Sequence, residues 1–133
     1  MSAELAVRGA VLAALNGDPT LGALVNGVYD GPPVKASEPH VVVGECAGSE
    51  WGTKDAAGRE VRVSVSLYDR QEASARLAQM TARADALILN LSGASADGWR
   101  IATVVLIRSR TARARDRGWA CVVDYRLRAL AAP

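Results

Sequence analysis

The stretch Glu60-Val61-Arg62-Val63-Ser64-Val65-Ser66-Leu67-Tyr68 alternates polar and apolar residues without a break. Successive side chains of a strand point to opposite faces. Period two therefore predicts a strand with Val61, Val63, Val65 and Leu67 buried and the other face wet. Asp69 ends it and can cap the next helix, and the period then changes. Ala73, Leu77, Met80, Ala84, Leu87 and Leu91 recur at helical spacing, while Arg76, Gln79, Arg83 and Asp85 fall largely elsewhere. That pattern predicts a long amphipathic helix from Gln71 to about Asn90. A half-wet strand followed by a one-sided helix implies a sheet covered by helix on one face.

Upstream, Val41-Val42-Val43 forms the core of a strand from His40 to about Glu45, with Trp51 in its hairpin extension. Val28-Tyr29-Asp30 reads as a short strand cut off by Gly31-Pro32-Pro33, and the segment to Pro39 as a loop. Ser2 can cap a first helix running from Ala3 to Leu15, with Glu4 favourable in its first turn. Leu5, Leu12 and Leu15, with Val11 beside them, are expected on its buried face. Asn16-Gly17 stops it, and Asp18-Pro19 opens a short second turn holding Leu21, Leu24 and Val25.

Downstream, two further strands are expected. Trp99 to about Arg108 would place Ile101, Val105 and Ile107 on one face. Trp119 to Ala129 would place Trp119, Cys121, Val123, Tyr125 and Leu127 inward, with Asp124, Arg126 and Arg128 outward. The expected fold is α+β: an antiparallel sheet of about four to five strands, packed by one long amphipathic helix and an N-terminal helix. Residues 1–133 form a single domain without repeats or linkers.

Half of the 133 residues are apolar, enough for a real core, and the net charge of +2 is too small to imply nucleic-acid binding by itself. The Met1-Ser2-Ala3-Glu4-Leu5 start, with Arg8 following, does not resemble a secretory signal. No apolar run approaches the ~18 residues of a membrane span. A cytoplasmic protein is expected. Cys46, Cys121 and the one histidine, His40, cannot supply a zinc ligand set. The cysteines read as small buried apolar residues, with a disulfide as the alternative.

Nothing in the chain has the pattern of a catalytic or cofactor site. His40 lacks a nucleophile motif, and no phosphate-cradling glycine loop occurs. Glu45, Glu50 and Asp55 are scattered acids in one hairpin region. No enzyme activity, metal or cofactor is expected. The most unusual segment runs from Arg108 to Gly118, where Arg108, Arg110, Arg113, Arg115 and Arg117 accompany the single acid Asp116. It reads either as a basic arm toward DNA phosphates or an acidic partner, or as a solvated hairpin. No aromatic residue interleaves with the arginines, which disfavours base stacking. Trp51, Tyr68 and Val122, on wet faces or extensions, are candidates for an assembly interface.

Several blocks in order carry a resemblance: Ser2-Ala3-Glu4-Leu5, Asp18-Pro19-x-Leu21, Val28 to Pro33 followed by Pro39 to Glu45, Trp51-Gly52-Thr53-Lys54, Val65 to Arg70, and Tyr125 to Leu130. Together they resemble the tail-completion or tail-terminator (head-tail joining) family of long-tailed phages, prophages and gene transfer agents. The resemblance implies a structural virion component that forms a ring, commonly a hexamer. Such a ring caps the tail tube and joins it to the head-side connector. A head-closure stopper or other minor neck protein is the alternative. The implied partners are further copies of the chain, the major tail tube protein and the connector or stopper protein. DNA would pass only nonspecifically through the lumen, and no membrane is involved. The chain would reside in the bacterial host cytoplasm during assembly and then in the neck of the particle. In that setting the arginine segment would face the lumen or an acidic surface of the tube.

Overall fold

A computed structural model describes residues 1–132. Its elements are α1 (Ala3–Asn16), α2 (Pro19–Leu24), β1 (Val28–Asp30), β2 (His40–Glu50), β3 (Gly58–Asp69), α3 (Ala75–Leu89), β4 (Ser95–Ala96), β5 (Trp99–Arg113) and β6 (Trp119–Ala131). The class is α+β. The sheet has six strands, in the order β1-β2-β3-β6-β5-β4. This corrects the expected four to five strands, because the two-residue β4 is too short to carry a period.

The sheet is also not wholly antiparallel: β1 runs parallel to β2, pairing Val28 with Val41 and Asp30 with Val43. The segment 31–39 returns the chain to the start of β2. A three-residue strand needs only that short return, whereas longer parallel strands need a full crossover. All other pairs are antiparallel.

β3 behaves as its alternation requires, with Val61, Val63, Val65 and Leu67 buried. β6 pairs with it residue for residue and adds Cys121, Val123, Tyr125, Leu127 and Ala129 to the same face. On this face lie the buried stripe of α3, namely Leu77, Met80, Ala84 and Ile88, and that of α1, namely Ala3, Val7, Val11 and Leu15. The opposite face of the sheet carries no helix. Cys46 and Cys121 are free thiols. They sit on β2 and β6, strands separated by β3.

Three local readings are corrected. Leu5 is 60% exposed. The inner face of α1 is set by the small Ala3 and Ala6 with Val7, and these let the helix lie close on the sheet. α3 starts at Ala75, so Ala73 lies outside the helix and is exposed. Val105 and Ile107 do not share the buried face of Ile101, because register shifts between Ile101 and Thr103 and between Leu106 and Arg108 reset the alternation. Each such irregularity adds a residue to one strand and turns the following side chains over.

The helix caps follow the sequence. The Ser2 hydroxyl accepts from the Leu5 N–H at 3.2 Å. The Asp18 carboxylate accepts from the Leu21 N–H at 2.8 Å and also from Arg83 Nε and Nη2, at 2.8 and 2.6 Å, so one side chain caps α2 and ties it to α3. Arg83 and the cap lower the Asp18 pKa from its ordinary 3.8 to about 2. A carboxylate with a depressed folded pKa stabilises above its unfolded value and loses that contribution as pH falls through the folded one. The difference in melting temperature between the wild type and Arg83→Gln is therefore expected to shrink as pH is lowered from about 4 to about 2. A difference that stays constant across that window would count against this ion pair.

Candidate assembly surfaces

His40 is buried, its ring 5.7 Å from Tyr29 edge-on and 5.0 Å from Tyr68. It begins β2 inside an aromatic group, as a structural histidine would. Among the described residues no group of three or more His, Cys, Asp or Glu side chains could hold a metal ion. Burial pushes the Cys46 thiol pKa up, which keeps it protonated and a poor nucleophile.

The open face of the sheet holds two of the three predicted interface residues. Tyr68 pairs with Ala120 and Ser66 with Val122, so Tyr68 and Val122 are diagonal neighbours on adjoining strands. Trp51 lies at the far end of the same sheet, just beyond β2, with the Arg128 guanidinium 5.1 Å from its ring centroid. Between these ends Glu60 receives Arg62, Arg126 and Arg128 at 3.7, 4.0 and 3.2 Å. The cluster makes the centre of this face basic.

The arginine segment is less of a loop than its composition suggests. β5 continues to Arg113 and leaves only residues 114–118 for the turn. Its five arginines are therefore not equivalent. Arg108 and Arg110 stand on β5 opposite Asp124 and Val122, and Arg110 comes within 3.8 Å of Asp124. Arg113 is engaged on the helix side, 2.9 Å from Glu72 and 4.5 Å from the Trp119 ring centroid. The Trp119 indole N–H donates to the Glu72 carbonyl at 3.0 Å, which completes a clamp between the hairpin and the approach to α3. Arg115 and Arg117 occupy the exposed turn.

Sequence reasoning missed one further surface. β4 pairs only with Trp99 and Arg100, and residues 93–94 bond Ile101, which leaves β5 without an outer neighbour beyond that point. Val105, Leu106 and Ile107 are 38%, 40% and 41% exposed on this edge. Three consecutive apolar residues were the available signal. Their exposure depends on the strand order, which local pattern does not contain.

A family model for tail completion protein gp17 matches residues 9–130. The chain belongs to the tail completion protein gp17 family. The match takes in α1 from Gly9 onward, α2, α3 and all of the sheet but the last residue of β6. The role of this tail completion protein is structural, in completing a tail. Solved structures share the fold. A chain of the native gene transfer agent virion particle superposes with a TM-score of 0.80 at 23% identity, over 98% of this chain and 99% of that one. The bacteriophage SPP1 gp17 protein superposes with a TM-score of 0.63 at 19% identity, over 94% and 89% of the two chains. No curated protein matches this tail completion protein.

Proposed function

We propose that the protein is a non-catalytic tail terminator: copies form a ring that caps the finished tail tube and joins it to the head-side connector. The observation that carries this reading is the family match across residues 9–130. The molecule has a fitting build, with a sheet whose second face is free of helix and two outer strands that leave backbone unpaired. Its place of work is the neck of the particle, reached from the host cytoplasm. Arg115 and Arg117, in the exposed turn, face the lumen or an acidic surface of the tube. Arg113 braces the hairpin that presents them.

The test is the mass of the purified protein by light scattering on a sizing column, alone and mixed with its tail tube protein. A closed oligomer of about six copies, or tube growth that stops on mixing, is expected. Replacing Arg115 and Arg117 together with serine should weaken that capping while leaving the melting temperature and the oligomeric state unchanged. A strict monomer that never binds the tube would instead favour a head-closure stopper.

A further inference from the structure

The sheet ends in two free edges of opposite character. On one side, β1 covers β2 only through Val43. The Arg8 guanidinium, paired with Asp30, donates to the Val43 and Gly44 carbonyls. The remaining edge, Glu45-Cys46-Ala47-Gly48-Ser49-Glu50, is built of small residues between two acids and contains no basic residue. On the other side, β5 from Thr103 to Arg113 carries Arg108, Arg110 and Arg113, the exposed Val105, Leu106 and Ile107, and no acid. Neither Glu45, Glu50 nor Arg108 is in an ion pair among the described residues, and Arg110 makes only the long contact to Asp124.

Strand direction completes the match. β2 is antiparallel to β3, β3 to β6 and β6 to β5, so β2 and β5 run oppositely. A second copy placed beside the first, in the same orientation, therefore sets its β2 antiparallel to the free β5. We propose that the β5 edge binds the Glu45–Glu50 edge of a second copy. Glu45, which like Arg108 is on the open face of the sheet, lies against Arg108 and Arg110, and the small residues of β2 receive the apolar side chains of β5. This inference rests on the ring reading above and supplies its contact. One chain carries both complementary halves on opposite sides of one sheet, which is the requirement for a heterologous, head-to-tail interface that can close into a ring. It also explains why Val105, Leu106 and Ile107 are left uncovered on an edge that solvent-exposed proteins usually blunt.

Two experiments test this. In the first, Glu45→Arg, and separately Arg108→Glu with Arg110→Glu, should each lower the oligomeric fraction at least about tenfold, and the combined charge exchange should restore it. All three residues are exposed, and an unchanged melting temperature excludes misfolding. In the second, on a Cys46→Ala, Cys121→Ala background, Ala47→Cys is combined in turn with Val105→Cys, Ile107→Cys, Ser109→Cys and Thr111→Cys. At least one pair should give an oxidation-dependent ladder of linked copies, and the single-cysteine variants none. Normal oligomers from both reversed variants, with no ladder from any pair, would overturn this contact and leave the ring intact. A bond from these cysteines to an equivalent set on the tube protein, in place of a second copy, would also overturn it. Failure of the unmodified chain to oligomerise, alone or with the tube, would remove the ring reading itself.

Discussion

Gly118→Val is expected to destabilise the protein by roughly 3 kcal/mol or more. Gly118 has φ +80°, a region that side chains rarely adopt. A Cβ there would lie 2.0 Å from the Asp69 carbonyl oxygen and 2.5 Å from the Arg70 Cα. Both are backbone atoms at the end of β3, so neither can swing aside. Gly98 has a similar φ of +86°, but a Cβ there meets nothing within 4 Å. Gly98→Ala should therefore cost only the conformational strain, on the order of 1 kcal/mol. Urea denaturation of both variants separates strain from crowding. Equal losses would show that the approach to Asp69 and Arg70 is not what makes glycine necessary at 118.

The second large effect is expected at the same corner. Asp69 is 1% exposed, and its carboxylate accepts from Arg76 Nε at 3.0 Å and from Arg76 Nη2. Arg76 holds the Asp69 pKa below the usual carboxylate value. Removing one partner of a buried pair leaves the other charge uncompensated, so Arg76→Ala should cost about 3 kcal/mol. Removing both partners costs less than removing one, so Asp69→Ala with Arg76→Ala is expected to be more stable than Arg76→Ala alone. Arg76 is the largest cause that holds the Asp69 pKa down, so the stability lost on acidification through the carboxylate range is expected to be smaller in the single variant than in the wild type. A single variant as stable as the double at neutral pH would contradict the argument.

This corner shows what the sequence could and could not convey. Asp69 was legible as the end of β3. The expectation that it caps the next helix is corrected: Ser74 takes the N-cap position, and the Asp69 carboxylate turns inward to Arg76. Where one residue decides locally, sequence and structure agree: Ser2 and Asp18 cap their helices, and the β3 alternation sorts buried from wet without exception. Where a neighbouring strand decides, they part. The two irregularities in β5 are relations between β5 and β6, and no window of β5 alone contains them. The same holds for the candidate surfaces. Tyr68 and Val122 were placed on the wet face by alternation. The separate fate of Arg113 depends on Glu72, which is distant from it in the sequence, and on Trp119, which only the hairpin register sets opposite it.

The unequal margins of the sheet have a consequence at long range. Acids at the outer part of β2 and arginines along β5 give the molecule an electric dipole directed across its strands, along the line of the inter-strand hydrogen bonds. On the contact proposed above, two copies approaching in solution would be turned by each other's field before they touch, acidic margin toward basic margin, and two like margins would repel. The field extends about 8 Å at physiological ionic strength and much further in dilute buffer. Encounter in the productive orientation is thus favoured over twofold pairing of identical edges, and the rate of joining becomes sensitive to salt in a way that the final contacts need not be.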